Sequence, residues 1–261
     1  MEDKENMTNK DIINIALQQS AYDCNCDPEN FLQKNHKVIK SKMNPKSKIY
    51  LTNPPECNLV SYGSNIVAQV NERIIDIVTD YIHKYPMEHC FETPNLYALN
   101  DALAPCDLKV CFMAEYFLPD LHNLREYSCE YNIKLLHQKD FTHLYTDEWS
   151  NALCKERKEA DILAVGAYDG GKLIGLAGCS ADCEMMYQIG VDVLFEYRRK
   201  GIAVALTSRL TQEILSLSKV PFYCAAWSNI KSVRNAVKCG FYPAWIEMNA
   251  KKIGYVAHLN H

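Results

Sequence analysis

The stretch VDVLFEYRRKGIAVAL, Val191 to Leu206, decides how this chain folds. An alternating apolar run, Val191 to Phe195, stops at Glu196, and three cations then stand in a row at Arg198, Arg199 and Lys200. Gly201 follows, and after it Ile202, Leu206, Leu210, Ile214 and Leu217 fall on one face at helical spacing. The segment therefore predicts a strand, a basic turn and an amphipathic helix. The first turn of a helix carries N–H groups without intrahelical partners and the positive end of the helix dipole, which suits phosphate. Gly201 has no Cβ, so backbone there can come close to a ligand. From these residues alone, an anion site and a plain solvated turn are both open.

Outward from this stretch the order is clear. Upstream, DILAVGAYDGGKLIGLAGCS predicts two strands joined at Asp169-Gly170-Gly171, a hairpin signal, and EMMYQIGVDVLF predicts the next strand. Further upstream, Ile133 to Leu136 predicts a strand and Phe141 to Cys154 a helix with Asp140 as its cap. Downstream come a strand in VPFYCAAW, a helix in NIKSVRNAVKC with Gly240 at its C-cap, and strands in FYPAWIEM and GYVAHL.

The first half also alternates helices and strands. Asp27 and Thr93 stand before Pro28 and Pro94 as helix start signals. Val70, Ile74, Ile77, Val78 and Ile82 mark an amphipathic helix. KVCFMAEYF predicts a strand ending at Pro119, with Glu92, Glu115 and Tyr116 as polar groups beside apolar strands. No catalytic motif appears there. A boundary is expected between Pro119 and Asn132, giving an α/β domain over 1–130 and a second domain over 131–261.

Composition narrows the class. A chain of 261 residues can bury one large core or two ordinary ones, and a net charge of −4 gives no reason to expect nucleic acid as a partner. The opening MEDKENMTNK is acidic and polar, unlike a signal peptide, and no apolar run reaches the roughly 18 residues of a membrane span, so a cytoplasmic location and no membrane partner are expected. The 12 cysteines are scattered without paired C-x-x-C spacing, which argues against structural zinc; they predict reduced core residues and no metal site.

The second half resembles the GNAT superfamily of acyl-CoA-dependent N-acyltransferases. The signature [Gln/Arg]-x-x-Gly-x-[Gly/Ala] reads here Arg198-Arg199-Lys200-Gly201-Ile202-Ala203, after a strand and at the start of a helix. Asn229, Ser232, Lys238, Gly240 and Phe241 match the family's strand–helix–Gly-Phe segment. The chain looks like a two-domain bacterial-type member. The resemblance implies an α/β (α+β) chain with a mixed central sheet flanked by helices, using acetyl-CoA as co-substrate and no metal. It implies an amine acceptor, on a small molecule or a protein, attacking the thioester directly.

The resemblance also assigns residues. Backbone donors from Arg199 to Ala203 would hold the pyrophosphate, with Arg198, Arg199 and Lys200 adding positive field, and Ile202 lies within that turn. Val191 and Val193 would flank the pantetheine arm, and Asn229 and Ser232 would contact the pantetheine or the adenosine. Glu184 is the candidate base, directly or through water, with Asp182 a weaker one; Asp192 is expected to face outward or hold the turn. Many relatives carry a tyrosine as general acid where this chain has Ala236, and Tyr187 and Tyr242 stand off that position. A catalytically weak or inactive acyl-CoA-binding module is the alternative reading. Oligomeric state and acceptor stay open.

Overall fold

A computed structural model describes residues 7–259. In chain order the elements are α1 (Asn9–Cys24), β1 (Lys37–Lys40), β2 (Cys57–Ser61), β3 (Val67–Val70), α2 (Ile75–Lys84), α3 (Asn95–Leu103), β4 (Leu108–Pro119), β5 (Asn132–His137), α4 (Gln138–Phe141), β6 (Asp161–Asp169), β7 (Lys172–Ser180), β8 (Met186–Val193), α5 (Ile202–Ser216), β9 (Val220–Ala225), α6 (Ile230–Lys238), β10 (Phe241–Lys252) and α7 (Ile253–Leu259). The chain is of mixed α/β class, with helices and strands interleaved as the sequence predicts.

Contacts divide the chain into two compact units. One comprises residues 16–116 and 244–261; the other comprises 117–243 with the N-terminal residues up to Ile15. The sequence reading draws one boundary, at 130. The contacts instead cut β4 between Tyr116 and Phe117 and β10 between Pro243 and Ala244. Both strands are long, at 12 residues each, and each serves both units.

In the 16–116 and 244–261 unit the strands run in the order β1-β3-β2-β10, with β1 parallel to β3 and the other pairs antiparallel. The predicted helical face is real only from its second turn: Val70 lies in β3 and Ile74 in a 3₁₀ turn before α2, while Ile74, Val78 and Ile82 are fully buried against Leu59 and Ala68 of the sheet and Leu99 and Leu103 of α3. Burying each such side chain contributes about 1.5–3 kcal/mol. Lys48 is 2% exposed and pairs with the Asp23 carboxylate, so its charge is matched where water is excluded.

The 117–243 unit holds the order β9-β8-β7-β6-β5, with β8 and β9 parallel and the other pairs antiparallel. The hairpin turn falls at Gly170-Gly171, closed by the Asp169–Lys172 pair, as predicted. α5 lies on one face and buries Ile202, Leu206, Leu210 and Ile214 against Val165, Ala167, Ala177 and Ile189.

Several local expectations fail. Asp27 makes no capping bond to its 3₁₀ turn, Pro94 rather than Thr93 stands before α3, and Leu217 lies exposed past the end of α5. Phe141 to Cys154 is not a helix; α4 ends at Phe141, and the rest is loop with a short 3₁₀ turn at Asp147–Trp149. Its backbone donors go elsewhere: Asp192 on β8 accepts from Asn151 N at 2.9 Å and Ala152 N at 3.0 Å. Asp140 is not the cap but accepts from His137 N at 3.0 Å from inside the turn. GYVAHL is helical, not a strand, and only Val256 of it is buried, so its apolar residues do not mark a sheet face. α1 is a helix the pattern hid, because Gln19, Ser20 and Asp23 are buried beside Ile12, Ala16 and Ala21.

Candidate functional site

β8 and β9 pair only from Met186↔Val220 to Ile189↔Tyr223, although β8 continues to Val193. Beyond Ile189 the two strands part. The direction of the β8 backbone there follows from its other edge. Leu194 N donates to Ile174 O at 3.0 Å, so the alternate residues Asp192 and Gly190 also turn their amides towards β7. Val191 and Val193 must then present N–H and C=O to the parted edge. Arg198 Nε uses one of these groups, donating to Val193 O at 3.1 Å.

Immediately after β8 the chain makes the basic turn. Arg199 has φ +65° and Gly201 φ +78°, both left-handed. Glycine takes that conformation freely; for Arg199 it costs about 1–2 kcal/mol. No backbone N–H from Arg199 to Ala203 finds an acceptor among the described residues, and a Cβ on Gly201 would meet nothing within 4 Å. Two left-handed residues at the mouth of α5 thus accompany a run of amides without acceptors among the described residues, the arrangement that receives anions.

Two of the three cations around it are held in place. Lys200 Nζ donates to the Tyr131 hydroxyl at 2.9 Å and lies 5.0 Å over the Tyr197 ring, and the Tyr131 bond raises its pKa, so it stays charged at neutral pH. Arg198 lies 5.4 Å over the Phe195 ring. Arg199 is exposed and makes no contact that would neutralise it among the described residues. Ile202 is buried in the α5 core, so its side chain anchors the helix.

The sheet beneath is squeezed from both faces. A Cβ on Gly175 would stand 2.7 Å from Ile202 Cγ2 of α5; one on Gly190 would stand 1.7 Å from Asn151 O, and one on Gly178 2.1 Å from Ala152 O. Asp192 locks the latter segment, adding a 2.7 Å bond from Asn151 Nδ2. The sequence reading has Asp192 facing outward or holding the turn; it instead holds residues 151–152.

On β9 and α6, Asn229 caps the helix by accepting from Ser232 N at 3.3 Å. The Ser232 and Tyr223 hydroxyls are 2.9 Å apart. Asn235 donates to Thr207 Oγ1 at 2.9 Å, while its own Oδ1 is buried without a partner among the described residues.

The acid and base candidates separate sharply. Glu184 is exposed in the loop before β8 rather than within the strand, and it makes no bond among the described residues. Asp182 is fully buried and grips Arg157 with two bonds, at 2.7 and 3.1 Å, so it is a structural anchor rather than a base. Ala236 is fully buried and brings no hydroxyl. Burial holds the Tyr187 and Tyr242 phenols above their ordinary range. Burial likewise pushes the Cys179 and Cys239 thiols up to about 12, which keeps them unreactive. Two residues of the site escaped the sequence reading. Tyr131 carries no motif, and Tyr223 lies inside an apolar strand pattern.

No group of three or more His, Cys, Asp or Glu stands together as a metal site among the described residues, nor is any described helix long and apolar enough to cross a membrane.

A strand, a left-handed basic turn, a long helix and a parallel neighbour that parts from the strand mark this unit. The GNAT acetyltransferase family model matches residues 110–244, and the chain belongs to that family. Among solved structures, it is similar to a GCN5-related N-acetyltransferase-like protein from Streptococcus suis: 19% identity, 60% of this chain and 69% of that one, TM-score 0.45. It is also similar to a GCN5-related N-acetyltransferase from Kribbella flavida, with 15% identity, 62% and 65% coverage and TM-score 0.47. An acetyltransferase from the GNAT family of Colwellia psychrerythraea gives 15% identity, 72% and 77% coverage and TM-score 0.42. The chain spans about two thirds of the length of the first two structures. No curated protein matches it.

Proposed function

We propose that this protein is an N-acetyltransferase that moves an acetyl group from acetyl-CoA to an amine by direct attack on the thioester. One observation carries the reading: the edge at Val191 and Val193, which β9 does not pair, leads straight into the amides of Arg199 to Ala203 that lack acceptors among the described residues. An extended, amide-bearing arm ending in a pyrophosphate fits both at once. The arm adds to the β8 edge as a further strand would, and the pyrophosphate sits on the turn. Arg198, Arg199 and Lys200 supply the field for its charges.

Asn229 and Ser232 border the arm from α6. Glu184 lies five residues before Ile189, where the strands part, so its carboxylate takes the amine proton through water rather than by direct contact. Holding amine and thioester in line supplies much of the rate.

The buried Ala236 favours a second reading, in which the chain binds acyl-CoA without turning it over. Both readings share the cofactor site and differ in chemistry. Acetyl-CoA at about 100 times its dissociation constant should stabilise the fold by about 2.7 kcal/mol, seen as a raised Tm. Thiol release with a panel of small and peptidyl amines then separates enzyme from binder. No Tm shift at millimolar acetyl-CoA would sink both.

A further inference from the structure

The parting of β8 and β9 has a definite vertex, and a polar pair stands at it. Tyr223 is the last residue of β9 that pairs with β8, opposite Ile189. From Val193 back to Ile189 the free edge measures about 13 Å. A pantetheine arm that enters at the basic turn and follows this edge brings its sulfur towards the vertex. There Ser232 Oγ donates to the Tyr223 hydroxyl at 2.9 Å, with Tyr223 3% exposed and Ser232 half-buried. Ser232 is thus the outward end of a two-hydroxyl chain whose inner end is kept from water. Ala236, one helical turn beyond Ser232, packs in the same core as Tyr223 and brings no hydroxyl of its own.

We propose that the Tyr223–Ser232 hydroxyl pair is the proton source for the departing thiolate, with Ser232 facing the sulfur and Tyr223 resupplying it. The inference rests on the cofactor reading above. As the amine nitrogen bonds to the carbonyl carbon, the C–S bond breaks and its electron pair goes to sulfur. Ser232 Oγ, which donates to the Tyr223 hydroxyl at rest, turns its proton to sulfur, and the Tyr223 proton then passes to Ser232 Oγ. The amine loses one proton on attack, and a solvent proton returns through Ser232 Oγ to the phenolate, so the cycle closes. Burial raises the Tyr223 pKa, so the phenol is protonated and able to donate at neutral pH. Asn235 bears on the same phenol and opposes part of that rise, and its unpartnered Oδ1 leaves an acceptor free in the same pocket of polar atoms.

The test uses free CoA, so it needs no acceptor. A hydroxyl aimed at the sulfur stabilises thiolate and lowers the pKa of the bound thiol. The pH dependence of CoA affinity, taken against desulfo-CoA, reads that pKa. We expect it to be lower by about one unit in the wild type than in Tyr223→Phe, with desulfo-CoA affinity unchanged. Ser232→Ala breaks the same chain from its outer end and should give the same shift, so the result does not hang on one variant folding. CoA that binds all three proteins with one thiol pKa overturns the relay and leaves the cofactor reading standing. A wild type that binds neither CoA nor desulfo-CoA overturns the cofactor reading, and the relay with it.

Discussion

At the scale of single residues, conformation matters as much as side-chain chemistry. Arg199 and Gly201 both stand at positive φ, and no amide from Arg199 to Ala203 finds an acceptor among the described residues. The charge of the three cations alone would attract any anion; the backbone geometry is what suits a diphosphate. Gly201→Glu places a carboxylate in the open space before those amides. Acetyl-CoA affinity should fall about 100-fold or more. Gly201→Asn is the control, since asparagine tolerates the left-handed region and adds no charge. It should bind far better than the glutamate variant. Wild-type affinity in Gly201→Glu would mean that the pyrophosphate does not rest on this turn. Asp182 teaches the opposite lesson. It stands two residues from Glu184 in sequence, yet its bidentate bond to Arg157 commits it to holding the loop.

At the scale of elements, the site depends on a loop that sequence patterning assigns to a helix. Residues 149–153 press against β7 and β8 where Gly178 and Gly190 leave room. Asp192 satisfies two backbone donors and one side chain of that segment. Asp192→Ala removes all three acceptor contacts at once and leaves the Ala152 amide without a partner. We expect a loss of about 2–3 kcal/mol in urea denaturation. Acetyl-CoA should also bind more weakly, because the same few residues of β8 form the free edge. A variant as stable as the wild type would show that packing alone keeps 149–153 in place.

At the scale of the whole molecule, two 12-residue strands are shared by both compact units. A chain cut to begin at Cys129 keeps the acyl-CoA motifs but loses β4. It also strands the later half of β10, whose Ile246 to Ala250 pair with β2, and it bares Met248 and Ala250. We expect this fragment to aggregate rather than fold, without a cooperative melting transition. A soluble fragment with a sharp transition that binds acetyl-CoA would show that residues 129–261 fold by themselves. The family, the hairpin at Gly170-Gly171, the strand–turn–helix at 191–206 and the α2 face were all legible in the sequence. Each is a local matter: spacing, turn residues and a contiguous motif lie within one short window of chain. The sequence could not show that Asp192 captures the 151–152 amides, that Arg157 occupies Asp182, or that Ser232 meets Tyr223. Nor could it show where β8 and β9 part. Those facts belong to residues brought together from distant windows, and their partners exist only once the sheet has set its register and the helices have closed on it.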